Sequence, residues 1–413
     1  MGAQQFAAGA VLLDTRKMNQ VRRLDVERAA IEVEAGIQWP ELFAHLHTVQ
    51  AGQARQWGIA QKQTGADRLS VGGALAANVH GRGLRMRPFI ADVESFTLVD
   101  ARGDVHLCSR SENAELFRLV IGGYGLFGIV YSVTLRAVPR QKVQRAVEIL
   151  SIEELMSAFE KRIADGFLYG DFQYSIDENS DNFLRKGVFS CYRPIDSAIP
   201  IPPDEKQLSY ENWKELLYLA HADKARVYQR YTDYYLSTNG QVYWSDTHQL
   251  SIYPENYHRE IDRKMLVRAQ ASEIITEIYV PREALVDFMN EVRDDLRKNN
   301  VNVIYGTIRL IERDDESFLA WAKQNYACII FNVHTVHTPA GIEHSAAAFR
   351  RLIDKAIARS GSYYLTYHKY ATPEQLLTCY PQFREFLRLK KRYDPDDRFQ
   401  SDWYRHYKTL LAE

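Results

Sequence analysis

Two glycine-rich stretches and one set of polar strand residues have the types and spacing from which chemistry can be built. Ser70-Val71-Gly72-Gly73-Ala74-Leu75-Ala76-Ala77-Asn78-Val79-His80-Gly81 concentrates small residues. They let a backbone approach a ligand closely and offer amides to an anionic or heteroaromatic group. The same composition suits a tightly packed helix, so this stretch alone leaves both readings open. Gly123-Tyr124-Gly125-Leu126-Phe127-Gly128 fits the GxGxxG dinucleotide fingerprint. That fingerprint requires a strand before it and a helix N-terminus after it. Here the helix-like ELFRLVI precedes and the β-branched IVYSVTL follows, so the context is reversed and a nicotinamide-dependent dehydrogenase is set aside. The glycines suit instead a tight helix-to-strand turn that admits a planar group. His334-Thr-Val-His337 has a metal-like look but no third ligand nearby in sequence, and Cys108, Cys191, Cys328 and Cys379 form no CxxC pair. No metal site is expected.

The elements that must position such residues are clearest after residue 270. A strand over Ser272–Val280, a helix over Glu283–Lys298, strands over Val301–Ile311 and Ala327–Thr335, a helix over Glu343–Ala358 and a strand over Ser362–His368 follow one another. A short helix near Glu316–Lys323 connects the middle strands. Otherwise the order is β-α-β-β-α-β, a ferredoxin-like antiparallel sheet with helices on one face and the other free for a ligand. Period-two alternation assigns Tyr305, Thr307, Arg309, Cys328, Asn332, His334, Glu277 and Tyr279 to the free face. A solvated outer face explains this polarity equally well on alternation alone.

Before residue 140 the pattern is short strands (Ala10–Leu13, Ile31–Glu34, Ser95–Val99, Val130–Ala137), a helix from Trp39-Pro40 and another over Glu112–Val120. Between the two regions a proline-rich loop, residues 197–206, precedes one long aromatic helix, roughly Tyr210–Leu236. A net charge of -1 over 413 residues gives no electrostatic reason to expect nucleic acid or an anionic membrane as partner. Four scattered cysteines argue against a disulfide framework and for a cytoplasmic protein. No apolar run reaches the roughly 18 residues of a membrane span.

Taken together, TGADRLSVGGALAANVHG, VESFTLVDARGDVHLCSRSENAELF, GGYGLFGIVYSVTLR, YYLTYHKYAT and KKRYDPDDRFQSDW resemble a known family in content and order. It is the p-cresol methylhydroxylase/vanillyl-alcohol oxidase superfamily, in particular the branch with aldonolactone and alditol oxidases and decaprenylphosphoryl-ribose oxidase. The resemblance implies an α+β fold: a PCMH-type FAD-binding domain over 1–140, a substrate or cap domain over 141–370, and a C-terminal segment, 371–413, packing back on the first. The cofactor implied is FAD. Gly65, Ser70, Val71, Gly72 and Gly73 would line its pyrophosphate and ribityl chain. Ala77, Asn78, Val79 and His80 would approach the ring, Ile129 would meet it through its backbone, and Tyr364 would reach back from the last cap strand.

The implied activity is oxidation of a CH–OH group of a small polar substrate, a sugar, polyol or aldonolactone, with hydride passing to flavin N5. Relatives carry a lysine three residues beyond the position of Tyr364; here Tyr367 stands there, followed by His368. Strict alternation puts His368 on the side of Tyr364, which makes His368 the expected base. Arg309, on a strand where alditol-oxidase relatives carry a substrate-site arginine, would orient substrate oxygens, and Tyr367 would hydrogen-bond to substrate. The opening Met1-Gly2-Ala3-Gln4-Gln5 looks like the tail of the family's pyrophosphate loop, so a truncated first lobe is expected. The rival reading is a flavin-less binding protein.

Overall fold

The computed structural model describes residues 6–252, 254–267 and 269–412; the opening five residues, the expected loop tail, lie outside them. The first sheet is built from β1 (Val21–Asp25), β2 (Ala30–Glu34), β3 (Trp57–Ile59), β4 (Val93–Val99), β5 (Val105–Ser109) and β6 (Ile129–Pro139). Its order is β1-β2-β6-β4-β5, with β3 also on β6, and every pairing is antiparallel. Helix α1 (Trp39–Val49) starts where Pro40 occupies its first turn and Gln38 and Glu41 form a reciprocal cap. Its Trp39, Leu42, Phe43 and Leu46 are buried. The glycine-rich stretch becomes α2 (Val71–Ala77), begun by Ser70 accepting from Gly73 N and stopped at Asn78 in the left-handed region, φ +46°. Helix α3 (Ala114–Val120) leads into the glycine turn and β6.

The second sheet has eight strands: β7 (Lys142–Ser151), β8 (Tyr169–Tyr174), β9 (Lys186–Pro194), β10 (Val242–Trp244), β11 (Ala271–Pro281), β12 (Val303–Ile311), β13 (Tyr326–Val336) and β14 (Ser362–Tyr363). Their order, β10-β7-β9-β8-β12-β13-β11-β14, contains the expected ferredoxin-like unit as its last four strands. The other four extend it through the β8–β12 pairing, which sequence pattern does not foresee. Helices α4 (Ile152–Ala164), α8 (Leu285–Lys298) and α9 (Pro339–Ile357) bury apolar stripes against this sheet. The expected long aromatic helix is two, α5 (Tyr210–Ala222) and α6 (Lys224–Ser237). Between them Asp223 leaves helical geometry and caps the second by accepting from Arg226 N. A short α7 (Tyr257–Lys264) lies against β11.

Three further expectations are corrected. Residues 10–13 are exposed and pair with no strand, because their apolar side chains have no sheet face to cover. Residues 316–323 are turns around Asp314, whose carboxylate accepts from Glu316 N and Ser317 N in place of a helix start. The last cap strand ends at Tyr363, because Leu365 and its neighbours are held from outside the sheet: Trp403 Nε1 donates to Leu365 O, 3.1 Å away.

Trp403 lies in α12 (Asp402–Leu410), which follows α10 (Pro373–Cys379) and α11 (Phe383–Tyr393). These helices pack on the first sheet's side of the molecule through Tyr124–Trp403 and Phe127–Phe386 ring contacts. The Lys-x-x-x-Asp-Pro pattern is a structural clamp. Lys390 Nζ meets Asp394 Oδ2 at 2.5 Å with both side chains buried, and Asp394 also accepts from Arg398 N and Phe399 N. Breaking such a buried pair from one side costs about 3–5 kcal/mol.

Candidate active site

Three of the five segments that carried the resemblance meet at the C-terminal end of α2. Its last carbonyls would be orphaned. The glycine turn supplies donors, Gly122 N to Leu75 O and Tyr124 N to Ala76 O, and the Tyr364 hydroxyl donates to Ala77 O at 2.5 Å. A side chain on Gly128 would clash with Val99 O, so only glycine lets the turn enter β6 at this register. Ile129, the first residue of β6, pairs with Val99.

The start of α2 differs from expectation. Val71 N and Gly72 N donate to Ile37 O and Ala35 O, and Gly73 N to Ser70 Oγ, so none of these amides remains free for a phosphate. Gly72 is required because a Cβ there would press on Ala35. Asn78 is likewise spent: its amide donates to Asp314 and Ser317 and its oxygen accepts from Ile90 N. Val79 is buried and accepts from Phe89 N.

His80 leaves α2 toward the polar face of the second sheet. Its Nδ1 donates to Gly81 O at 3.0 Å, so in neutral imidazole Nε2 would present a lone pair to the carboxylate it touches, Glu277 Oε1. The pair therefore shares one proton. Glu277 Oε1 also accepts from Tyr279 OH at 2.9 Å and lies 3.1 Å from Cys328 Sγ. Burial pushes the Glu277 carboxyl up, but the His80 charge and hydrogen bonds from His80, Cys328 and Tyr279 outweigh it and hold the group below its ordinary value. Glu277 Oε2 is buried without a partner among the described residues.

Arg309 stands opposite Cys328 in the β12–β13 register, is 5% exposed, and has an Nε without a partner among the described residues. Tyr367 lies in the field of the same three groups: burial, then the Glu277 charge, raises its phenol well above the usual value, while Arg309 opposes this. The Tyr367 oxygen accepts from Gln63 Nε2 at 2.8 Å. Tyr364 packs edge-on to Tyr367, and Trp321 stacks on Tyr279.

His368 is the correction among the expected site residues. With no strand beyond Tyr363, alternation no longer governs it. It lies on the helix-covered side, Nε2 3.0 Å from Thr276 Oγ1 and its ring stacked on Phe349 of α9 at 4.4 Å. Burial pulls its pKa down to about 3. It does not join the Glu277–Arg309–Tyr367 group. Glu277 is legible on β11 as a polar-face residue; that His80 locks one of its oxygens is not, because the two are 197 positions apart.

Residues 1–109 match the FAD binding domain family and residues 209–407 match the D-arabinono-1,4-lactone oxidase family. Bovine L-gulonolactone oxidase is 30% identical over 148 residues, 36% of this chain. That matched stretch spans only 32% of the bovine protein's length. The L-gulono-1,4-lactone dehydrogenase of Mycobacterium tuberculosis is 24% identical over 96% of this chain and 85% of its own. Decaprenylphosphoryl-beta-D-ribose oxidase of Mycolicibacterium smegmatis is 20% identical over 97% of this chain and 86% of its own. The two family matches, one after the other along the chain, make it similar to FAD-linked oxidoreductases of the aldonolactone-oxidase branch, and the first of them gives FAD as the cofactor.

The residues present fit that cofactor on one side. Among the described residues Gln63 Oε1 and Thr64 Oγ1 are buried without partners, and the space beside Gly65 (φ +79°) is open. These unspent polar atoms, on the residue that contacts Tyr367 and on the next one, suit a flavin's polar edge or chain; the start of α2 offers it no free amide. Among the described residues no helix is long and apolar enough to cross a membrane.

Proposed function

We propose that this chain oxidises a CH–OH group of an aldonolactone or a related sugar, with Glu277 as base and Arg309 and Tyr367 as substrate-binding groups. The observation that carries the reading is the division of labour within one carboxylate. Oε1 is held by three neighbours, and Oε2 is aimed, unbonded, from the face that also carries the unspent Arg309 Nε. FAD, when bound, supplies a two-electron acceptor for the hydride leaving carbon. Glu277 Oε2 takes the hydroxyl proton, so the alcohol loses one hydride and one proton and becomes a carbonyl. A carboxylate kept below its ordinary pKa is ionised and ready at neutral pH. His80 is a positioning residue: it fixes the carboxylate and stabilises its charge. Arg309 donates to substrate oxygens and offsets the negative charge that develops as the proton leaves. Tyr367 accepts from Gln63 and so has its own proton free to donate to substrate.

The reading includes a cytoplasmic setting, supported by four buried, unpaired cysteines. The test is anaerobic mixing of the FAD-loaded chain with L-gulono-1,4-lactone or D-arabinono-1,4-lactone. Loss of the oxidised-flavin absorbance is expected. An unchanged spectrum with bound FAD sinks the substrate class, and failure to hold FAD leaves the flavin-less binding protein.

A further inference from the structure

The polar face that carries Glu277 continues along β11 to a second carboxylate, Glu273, and what surrounds it is different. His334 is its register partner on β13, and His221 reaches it from the last turn of α5. His221 Nε2 lies 3.2 Å from Glu273 Oε1, and His334 Nδ1 lies 3.6 Å from the same oxygen. The two rings are nearly perpendicular, 82°, with centroids 5.0 Å apart. Both nitrogens are buried and pair with the Glu273 carboxylate only as ion-pair neighbours, neither having a hydrogen-bond partner of good geometry among the described residues. The His221 side chain is 5% exposed and that of Glu273 8%. Two buried imidazole nitrogens left unspent beside one oxygen are a costly arrangement unless something sits between them.

We propose that His221, Glu273 and His334 bind a divalent transition-metal ion, Zn2+ foremost, which ties α5 to the cap sheet. Metal bonds of about 2.0–2.1 Å in a tetrahedron set ligand atoms about 3.3 Å apart; the two separations to Glu273 Oε1 straddle that value, and all three ligand atoms lie within 4.8 Å of one another. Imidazole and carboxylate donors with an open fourth position are a zinc set of the two-histidine, one-glutamate kind. An outer partner is already in place: Tyr257 OH donates to Glu273 Oε2 at 2.8 Å, which turns Oε1 toward the histidines. The cluster around Glu277 offers a similar inventory, His80, Glu277 and Cys328, but there imidazole and carboxylate are in direct hydrogen-bond contact and a proton fills the gap. The sequence pairing His334-x-x-His337 names the wrong second ligand, since His337 Nε2 bonds Ser272 Oγ at 2.8 Å.

The metal would act on the architecture. Helix α5 ends at Asp223, where α6 begins, and the α6 tyrosines Tyr231 and Tyr235 lie in the field of Asp171 on β8, with Tyr231 also in that of Tyr305 on β12. Fixing the last turn of α5 to β11 and β13 fixes this roof over the polar face.

The full chain, stripped with a chelator, loaded with ZnCl2 and desalted, is expected to retain about one zinc per chain by elemental analysis, with a raised thermal midpoint. Co2+ in its place is expected to give the strong visible bands of a tetrahedral site. His221→Ala and His334→Ala should each weaken binding by more than the roughly 10- to 100-fold that loss of an outer-shell partner costs. His337→Ala should bind as the wild type does. Glu273→Gln keeps a hydrogen-bond acceptor for Tyr257 and serves where an alanine variant loses its far-UV circular dichroism; it too should lose the metal. Retention of no zinc by the wild type, or equal retention by the His221, His334 and Glu273 variants, overturns the site.

Discussion

The two faces of the β11–β13 sheet bury histidines to a similar depth and use them in opposite ways. On the polar face His80 is 1% exposed and in contact with Glu277; on the helix-covered face His368 is 6% exposed and rests on Phe349, with Thr276 Oγ1 at its Nε2 and the Tyr370 amide at its Nδ1. His80 has a carboxylate to hold in place, whereas His368 has none beside it and burial leaves it neutral down to about pH 3. What makes a buried histidine part of a reaction centre is thus its neighbour, and the neighbour is set by which side of one strand the chain has chosen.

The sharpest test of that contrast is Glu277→Gln. It keeps the shape and the donors around Oε1 but removes the base, and flavin reduction by substrate is expected to slow by about 10²- to 10⁴-fold in anaerobic stopped-flow. A loss under tenfold breaks the assignment of the polar face as the reacting one. Arg309→Met comes next. It keeps the buried stem but removes the guanidinium with its unpartnered Nε, and kcat/KM should fall by about 10²- to 10³-fold. A fall confined to KM would make Arg309 a binding group only.

How much of this is legible in the sequence follows from the range of the forces involved. Alternation within β11, β12 and β13 is a local signal, and by itself it places Glu277, Arg309 and Cys328 on one face. Capping at Gln38–Glu41 and Ser70 is equally local. The β8–β12 pairing, the His80–Glu277 contact and the His221–Glu273–His334 convergence join residues far apart in sequence, where no periodicity reports. His368 escapes alternation for a third reason. Past Tyr363 the ladder gives way to tertiary contacts from Trp403 and Tyr380, and side chains no longer take turns between two faces. The glycines of α2 read as ligand-facing because small residues serve close approach of any kind; at Gly72 the close neighbour is Ala35.

On the helix-covered side the expected effect is on stability. The His368 pKa falls from the ordinary 6.5 to about 3 in the fold because burial penalises the imidazolium. Between those values the unfolded chain binds the extra proton and the native one does not. The stability present above pH 6.5 is therefore lost as pH falls toward 3, at up to about 1.4 kcal/mol per pH unit for this one group. His368→Phe retains a ring against Phe349 and has nothing to protonate. Urea unfolding across that window should be less steep with pH by about that amount, with flavin reduction at neutral pH within a few-fold of wild type. A large loss of flavin reduction with unchanged acid sensitivity would return His368 to the reaction and overturn the contrast between the faces.

The smallest expected effect concerns the seam between the two sheets. By family resemblance Tyr364 would reach the flavin; in the fold its hydroxyl donates to Ala77 O, closing the end of α2. Tyr364→Phe keeps the ring against Trp321 and Tyr367 and removes only that bond. A net hydrogen bond of this kind contributes about 0.5–1.5 kcal/mol, so the thermal midpoint should drop by a few degrees at most while the rate of flavin reduction stays within about twofold. An unchanged midpoint with a tenfold slower reduction would mean that the hydroxyl is spent on the cofactor. The polar reaction face would then extend past Tyr367 to the end of α2, where three of the five segments of the resemblance meet.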